Sequence, residues 1–159
     1  MARHTYSFQN PNQEDFETTD SSLRSMKIIK FSIILLYFRF NEGGASKRNF
    51  PDAMSFCGSL GGRLYEPVDQ TQFDAMQKEW EATRGPNADG WIGVSNVGAQ
   101  ENAADWVYST RTGVQVTFTN WKEESPTGGN LCAYFQGNNG KWLNDENCET
   151  ATKDFVCEF

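Results

Sequence analysis

The amino-acid sequence predicts an α+β domain with an antiparallel sheet, preceded by a leader. Three observations carry that expectation. Two segments with helical apolar spacing and clear start and stop signals come first, between residues 49 and 86. A series of short apolar runs with strand character follows, out to the last residue. All four cysteines and all five tryptophans lie between residues 57 and 157, so cross-links and core material share one region. Helices first and strands afterwards is the order expected of an α+β domain.

The elements follow in order. Asn49-Phe50-Pro51-Asp52 reads as a helix start, with a proline near the first helical position and an acid in the first turn. Ala53, Met54, Cys57 and Leu60 continue at helical spacing until Gly61-Gly62 stops the run. Arg63-Leu64-Tyr65 is a short strand candidate. A second helix begins near Asp69 or Thr71, carries Phe73, Met76 and Trp80 on one face, and ends at Gly85-Pro86. Beyond it, Trp91-Ile92-Gly93-Val94 and Trp106-Val107-Tyr108 read as strands. Residues 114–118 alternate as a half-buried strand should. Residues 131–135, Trp142-Leu143 and Phe155-Val156-Cys157 complete the series. The stretch 96–130 is rich in Gly, Asn and Thr and should be largely loop.

The 159 residues suffice for one domain plus a short extension. The net charge of −7 is unevenly placed: residues 1–45 carry five basic and five acidic side chains, residues 46–159 nine basic and sixteen acidic. An acidic domain without a Lys/Arg cluster repels phosphate backbones, so nucleic acid is excluded as a partner. All four cysteines (57, 132, 148, 157) lie in the acidic part without a CxxC pair, and the sole histidine, His4, lies outside it. That spacing disfavours zinc and favours two disulfides in an oxidising compartment. Four cysteines allow three pairings, among which the residues alone do not choose.

Residues 1–45 read as a polar N-terminal extension followed, over 26–45, by a signal-peptide-like segment. Lys27 and Lys30 form a basic region, residues 31–38 (FSIILLYF) an apolar run, and Gly43-Gly44-Ala45 a small-residue end. Eight apolar residues are far short of the roughly 20 that span a bilayer, so no membrane span and a secreted domain over 46–159 are expected. The 25 polar residues before Met26 are foreign to a signal peptide, and their role is not legible.

In this order, several motifs resemble the C-type lectin-like domain. Leu60-Gly61-Gly62-Arg63-Leu64 after Cys57 is similar to that family's opening, and Trp91-Ile92-Gly93-Val94 to its core strand. Thr119-Asn120-Trp121, then Cys148 through Val156-Cys157-Glu158-Phe159, are similar to its closing half. The resemblance covers residues 49–159. It implies two helices flanking antiparallel sheets with a long irregular binding loop, in the short form with two disulfides, Cys57–Cys157 and Cys132–Cys148.

In lectins of this family a calcium ion holds the sugar, ligated by residues flanking a cis-proline, a later Glu, and the Asn-Asp of a W-N-D strand. Transferred to this chain, the resemblance makes Pro126 the cis-proline, flanked by Ser125 and Thr127, and puts Asn130 at the later Glu position. Asn144 and Asp145 match the Asn-Asp pair, with Leu143 inserted after Trp142. The ligand-binding set is thus Ser125, Pro126, Thr127, Asn130, Asn144 and Asp145. A calcium set would be Glu124, Asn130, Asn144 and Asp145. The family brings three carboxylates to the ion, whereas Asp145 alone matches here, so any calcium is expected to bind weakly. Residues 96–101 do not supply an auxiliary calcium site. Tyr134 and Trp142 are candidates to stack on a sugar ring, Trp142 having a core role as its simpler explanation.

These residues imply a secreted lectin binding a glycan or glycoprotein through a weak or degenerate calcium site. The alternative is a calcium-independent module that grips a protein with the same loops. An enzyme is disfavoured: residues 46–159 contain no histidine, no unpaired cysteine once both disulfides form, and no nucleophile or phosphate-binding motif. On either binding reading, Asn144→Ala or Asp145→Ala is expected to weaken ligand binding while leaving folding largely intact.

Overall fold

The computed structural model describes residues 38–41, 46–96, 106–111, 113–127 and 129–159. Helix α1 (Phe50–Ser59) is capped by Asn49, whose side chain accepts the Asp52 N–H at 2.9 Å. It ends where Gly61 adopts φ 81° and the Gly62 N–H returns to the Cys57 carbonyl. A Cβ on Gly62 would collide with the Glu158 carbonyl, so the second glycine is fixed by close backbone approach. Helix α2 (Gln70–Arg84) is capped by Asp69, which accepts the Gln72 N–H at 2.8 Å, and stops at Gly85 with φ 85°.

Among the described residues, seven strands follow the order β1 (Phe38–Phe40), β2 (Arg63–Leu64), β3 (Gly90–Asn96), β4 (Trp106–Tyr108), β5 (Cys132–Phe135), β6 (Trp142–Leu143) and β7 (Asp154–Glu158). The sheet runs β1-β7-β3-β5-β6, with β2 also on β7 and β4 on β3. All pairs are antiparallel except β3 with β7, where Gly90 faces Asp154 and Trp91 faces Phe155 in parallel. The sheet is therefore mixed rather than wholly antiparallel. A long connection between β3 and β7 permits the parallel pairing.

The two-residue period of the strands sorts side chains between two cores. Ile92, Val94, Ala133, Phe135 and Val156 join Phe73, Met76 and Trp80 of α2. Trp91, Tyr134, Phe155 and Cys157 join Phe50, Ala53 and Cys57 of α1. The disulfides are Cys57–Cys157, tying α1 to β7, and Cys132–Cys148, tying the start of β5 to the loop after β6. Both pairings agree with those the resemblance implies.

Two further expectations change. Residues 114–118 do not form a named strand. Gln115 makes one bridge to Val107, and Val116 and Phe118 pack against the core while Val114 stays exposed. Its partner β4 is only three residues long, and the Tyr108 hydroxyl, not a ladder carbonyl, receives the Thr117 N–H.

The second change concerns the leader. Residues 38–40, assigned to it from sequence, belong to the sheet: Phe38, Arg39 and Phe40 face Glu158, Cys157 and Val156. Phe38 meets Tyr65 edge to face and Phe40 meets Trp80. Asn41 is buried, donating to Asp154 at 2.9 Å and accepting the Phe155 N–H at 3.0 Å. Phe38–Phe40 carry no local mark that separates the end of a leader from a strand, and only the distant β7 distinguishes them. The remainder of the expected leader, residues 26–37 and 42–45, lies outside the described residues, as do 97–101 of the auxiliary calcium stretch. Among the described residues no helix is long and apolar enough to cross a membrane.

Candidate functional site

The segment entering the candidate loop is pinned beside β6. Trp142 donates its N–H to the Asn120 carbonyl at 2.9 Å, and Lys122 donates to the Trp142 carbonyl at 3.0 Å. The Ser125 N–H closes a turn on the Lys122 carbonyl, with Glu124 at φ 67°, and the Ser125–Pro126 bond is cis. This reversal brings Thr127 back to the residue following β6, Asn144.

Asn144 is 1% exposed. Its Oδ1 accepts the Thr127 N–H at 2.8 Å, and its Nδ2 donates to the carbonyls of Thr127 at 2.6 Å and Asn130 at 3.1 Å. One amide thus replaces a short stretch of ladder and ties both ends of the loop to the sheet. All its strong bonding directions are used. Substitution at Asn144 therefore perturbs the loop itself, contrary to the expectation that folding would be largely spared.

Asp145 follows and is exposed. Its Oδ1 accepts the Tyr134 hydroxyl at 2.6 Å. Burial, and then this carboxylate, push the Tyr134 phenol far above its usual range, so it remains a donor. Lys153, whose Nζ lies 3.8 Å from the centre of the Tyr134 ring and 3.5 Å from Glu146, completes the underside. Sequence reasoning missed Lys153, because its partners are distant in the chain. Trp142 is fully buried and Tyr134 nearly so, which removes both as stacking surfaces for a ring.

The loop groups Ser125, Pro126, Thr127, Asn130 and Asn144 directly, with Asp145 at its border. Thr127, Leu131 and Asp145 are exposed around it, as are Glu123 and Glu124 before the proline. Calcium requires about 6–8 oxygens, several of them charged. The residues present do not fit that demand. The Asn144 oxygen already accepts an N–H, Asn130 meets Asn144 through its backbone carbonyl, and one Asp145 oxygen is engaged by Tyr134. Among the described residues no group of three or more His, Cys, Asp or Glu side chains is placed to hold a metal ion.

The family model described as the Lectin C-type domain matches residues 46–159. The chain belongs to the C-type lectin domain family. Among solved structures it is similar to the mouse scavenger receptor C-type lectin carbohydrate-recognition domain, at 25% identity and a TM-score of 0.61, covering 77% of this chain and 88% of that one. Human lithostathine shares the fold at 23% identity and a TM-score of 0.64, covering 77% of this chain and 89% of the other. So does the cow CD23 carbohydrate-recognition domain, solved in the presence of a GlcNAc2Man3 oligosaccharide, at 22% identity and a TM-score of 0.60, over 77% and 85% of the two chains. Among curated proteins none matches the chain in sequence.

Proposed function

We propose that this chain is a secreted, calcium-independent recognition module of the C-type lectin fold, binding a glycan or glycoprotein at the loop around Pro126 and Asp145. The observation that carries the reading is the bonding of Asn144. Its amide is a strut between β6 and the loop, so the loop keeps its shape without an ion to organise it. The exposed surface beside the strut offers the Thr127 hydroxyl, the Asp145 carboxylate and the apolar Leu131. The carboxylate and the Thr127 hydroxyl oxygen, whose proton faces the Asn144 Oδ1 at 3.4 Å, can accept from the hydroxyls of a polyol, and Leu131 suits its apolar edge. Carbohydrate-recognition domains among the similar structures support the ligand class. The two disulfides support an extracellular setting. No catalytic role is proposed.

The test is binding of the full chain to an immobilised panel of neutral glycans and glycoproteins, with calcium and with EDTA. Retained binding in EDTA, lost in Asp145→Ala, is the expected outcome. Loss in EDTA overturns calcium independence. A second reading, a sugar site with a weak calcium ion, is favoured by the Asp145 oxygen that Tyr134 leaves free, and the same experiment decides between them.

A further inference from the structure

We propose that the cleft between β1 and the start of α1 binds an oxyanion carried on an acidic or sulfated sugar residue. The cavity is about 240 Å³ and is lined by Arg39, Phe40, Asn41, Arg48, Phe56 and Phe155. It shares no residue with the loop around Pro126.

Two arginines define its chemistry. Arg39 is the middle residue of β1, between the two phenylalanines that pack into the core. Arg48 is fixed by its backbone: its N–H reaches the Lys153 carbonyl at 3.1 Å, and its own carbonyl accepts both the Lys153 N–H and the Trp91 indole. Its guanidinium lies 4.8 Å from the centre of the Phe56 ring, and its Nε is buried without a hydrogen-bond partner. Among the described residues neither arginine forms an ion pair. Arg63 and Arg111, by contrast, are paired, with Glu158 at 2.5 Å and Glu66 at 2.6 Å, whereas Arg84 shares with Arg48 a buried, unpartnered Nε but does not line this cleft. Residues 46–159 carry sixteen acids against nine bases, yet among the described residues no carboxylate lines this cleft. The nearby acid, Asp154, is turned to Asn41 and Lys47.

The Arg48 Nε is closed to solvent, so an oxyanion in the cleft would meet the other guanidinium N–H groups of Arg39 and Arg48, which line it. Planar guanidinium forks match carboxylate, sulfate and phosphate oxygens in pairs. Asn41 commits its side chain to Asp154, Ser46 and the Phe155 N–H, which leaves the arginines as the charged donors of a lining that also holds the Ser46 hydroxyl. Phe40, Phe56 and Phe155 supply an apolar wall suited to the carbon face of a ring. The volume is below the roughly 300–1,000 Å³ of drug-sized pockets, so one monosaccharide-sized residue fits and an oligosaccharide does not.

The experiment titrates the full chain with sodium glucuronate, sodium sulfate and glucose, read by calorimetry and by amide shifts at Phe40 and Phe56. Glucuronate should bind saturably and glucose should not. Arg39→Gln and Arg48→Gln should each weaken binding about tenfold or more, the loss expected for a charged hydrogen-bonding partner. Arg48→Lys, which keeps the charge without the fork, should fall between native and Arg48→Gln. Sulfate binding with the same variant pattern supports the site and assigns it to sulfated sugars. Glucose binding as tight as glucuronate, no saturable binding of either anion, or binding unchanged in both glutamine variants would overturn the proposal. These outcomes leave the neutral-glycan test of the loop unaffected.

Discussion

Asn144→Asp separates a loop strut from a calcium ligand, because the two roles predict opposite signs. A carboxylate would add charge to a calcium site and tighten it. In a strut it fails, since the Nδ2 that donates to the carbonyls of Thr127 and Asn130 becomes an oxygen facing two oxygens. Only the bonds that the Oδ1 accepts, from the Thr127 N–H and, at 3.4 Å, the Thr127 hydroxyl, survive. Each lost hydrogen bond is worth about 1 kcal/mol net, and a buried group left unpaired costs about 1–3 kcal/mol. Thr127 is exposed and can rehydrate, whereas Asn130 is half-buried. The expected loss is therefore about 2–4 kcal/mol, partly recovered in acid, where the protonated side chain can donate one bond. Asn144→Ala should lose a similar amount without the recovery in acid. Urea unfolding at pH 5 and pH 7.5, followed by tryptophan fluorescence, measures both. A change below about 0.5 kcal/mol for either variant, within the range of ordinary surface substitutions, would refute the strut.

Three further outcomes follow from the packing. Replacing Cys57 and Cys157 by alanine together should cost about 2–5 kcal/mol, since that bridge joins residues 100 apart, and an unchanged denaturation midpoint would contradict it. Asn41→Ala should cost about 1–3 kcal/mol and increase amide exchange in β7, because it frees Asp154 and the Phe155 N–H; unaltered exchange there would detach β1 from the domain. Burial raises the Glu158 carboxyl above its ordinary value of 4.5 despite the pull of Arg63. The folded chain thus holds that proton more tightly than the unfolded chain, and the Glu158 contribution falls as pH rises from the ordinary carboxylate range through the raised value. The stability of the native chain relative to Glu158→Gln should decline across that window, and a difference that grows with pH would reverse the assignment.

Local signals were legible where the physics is local. The caps Asn49 and Asp69, the Gly61-Gly62 and Gly85-Pro86 stops, and the helical spacing of Phe73, Met76 and Trp80 placed both helices to within a residue or two. Strands 131–135 and 155–157 were visible as apolar runs, and their partners were not. The parallel match of Trp91 with Phe155 depends on residues far apart in the chain, as does the capture of Phe38–Phe40 by β7. The candidate loop shows the same division. Pro126, Asn144 and Asp145 stand out by type and order, but type lists what an amide could bond, not what it does bond. Nothing in the sequence says that Asn144 faces Thr127 and Asn130, or that Tyr134 rests on Asp145.

The measurement that tests the central claim most directly is a calcium titration of the full chain by calorimetry and thermal unfolding, with Asp145→Ala alongside. A calcium-independent loop predicts no saturable heat and no rise in unfolding temperature up to about 10 mM calcium, well above the dissociation constants of extracellular calcium modules. Saturable binding that raises the unfolding temperature and disappears in Asp145→Ala would contradict the account and restore calcium to the site.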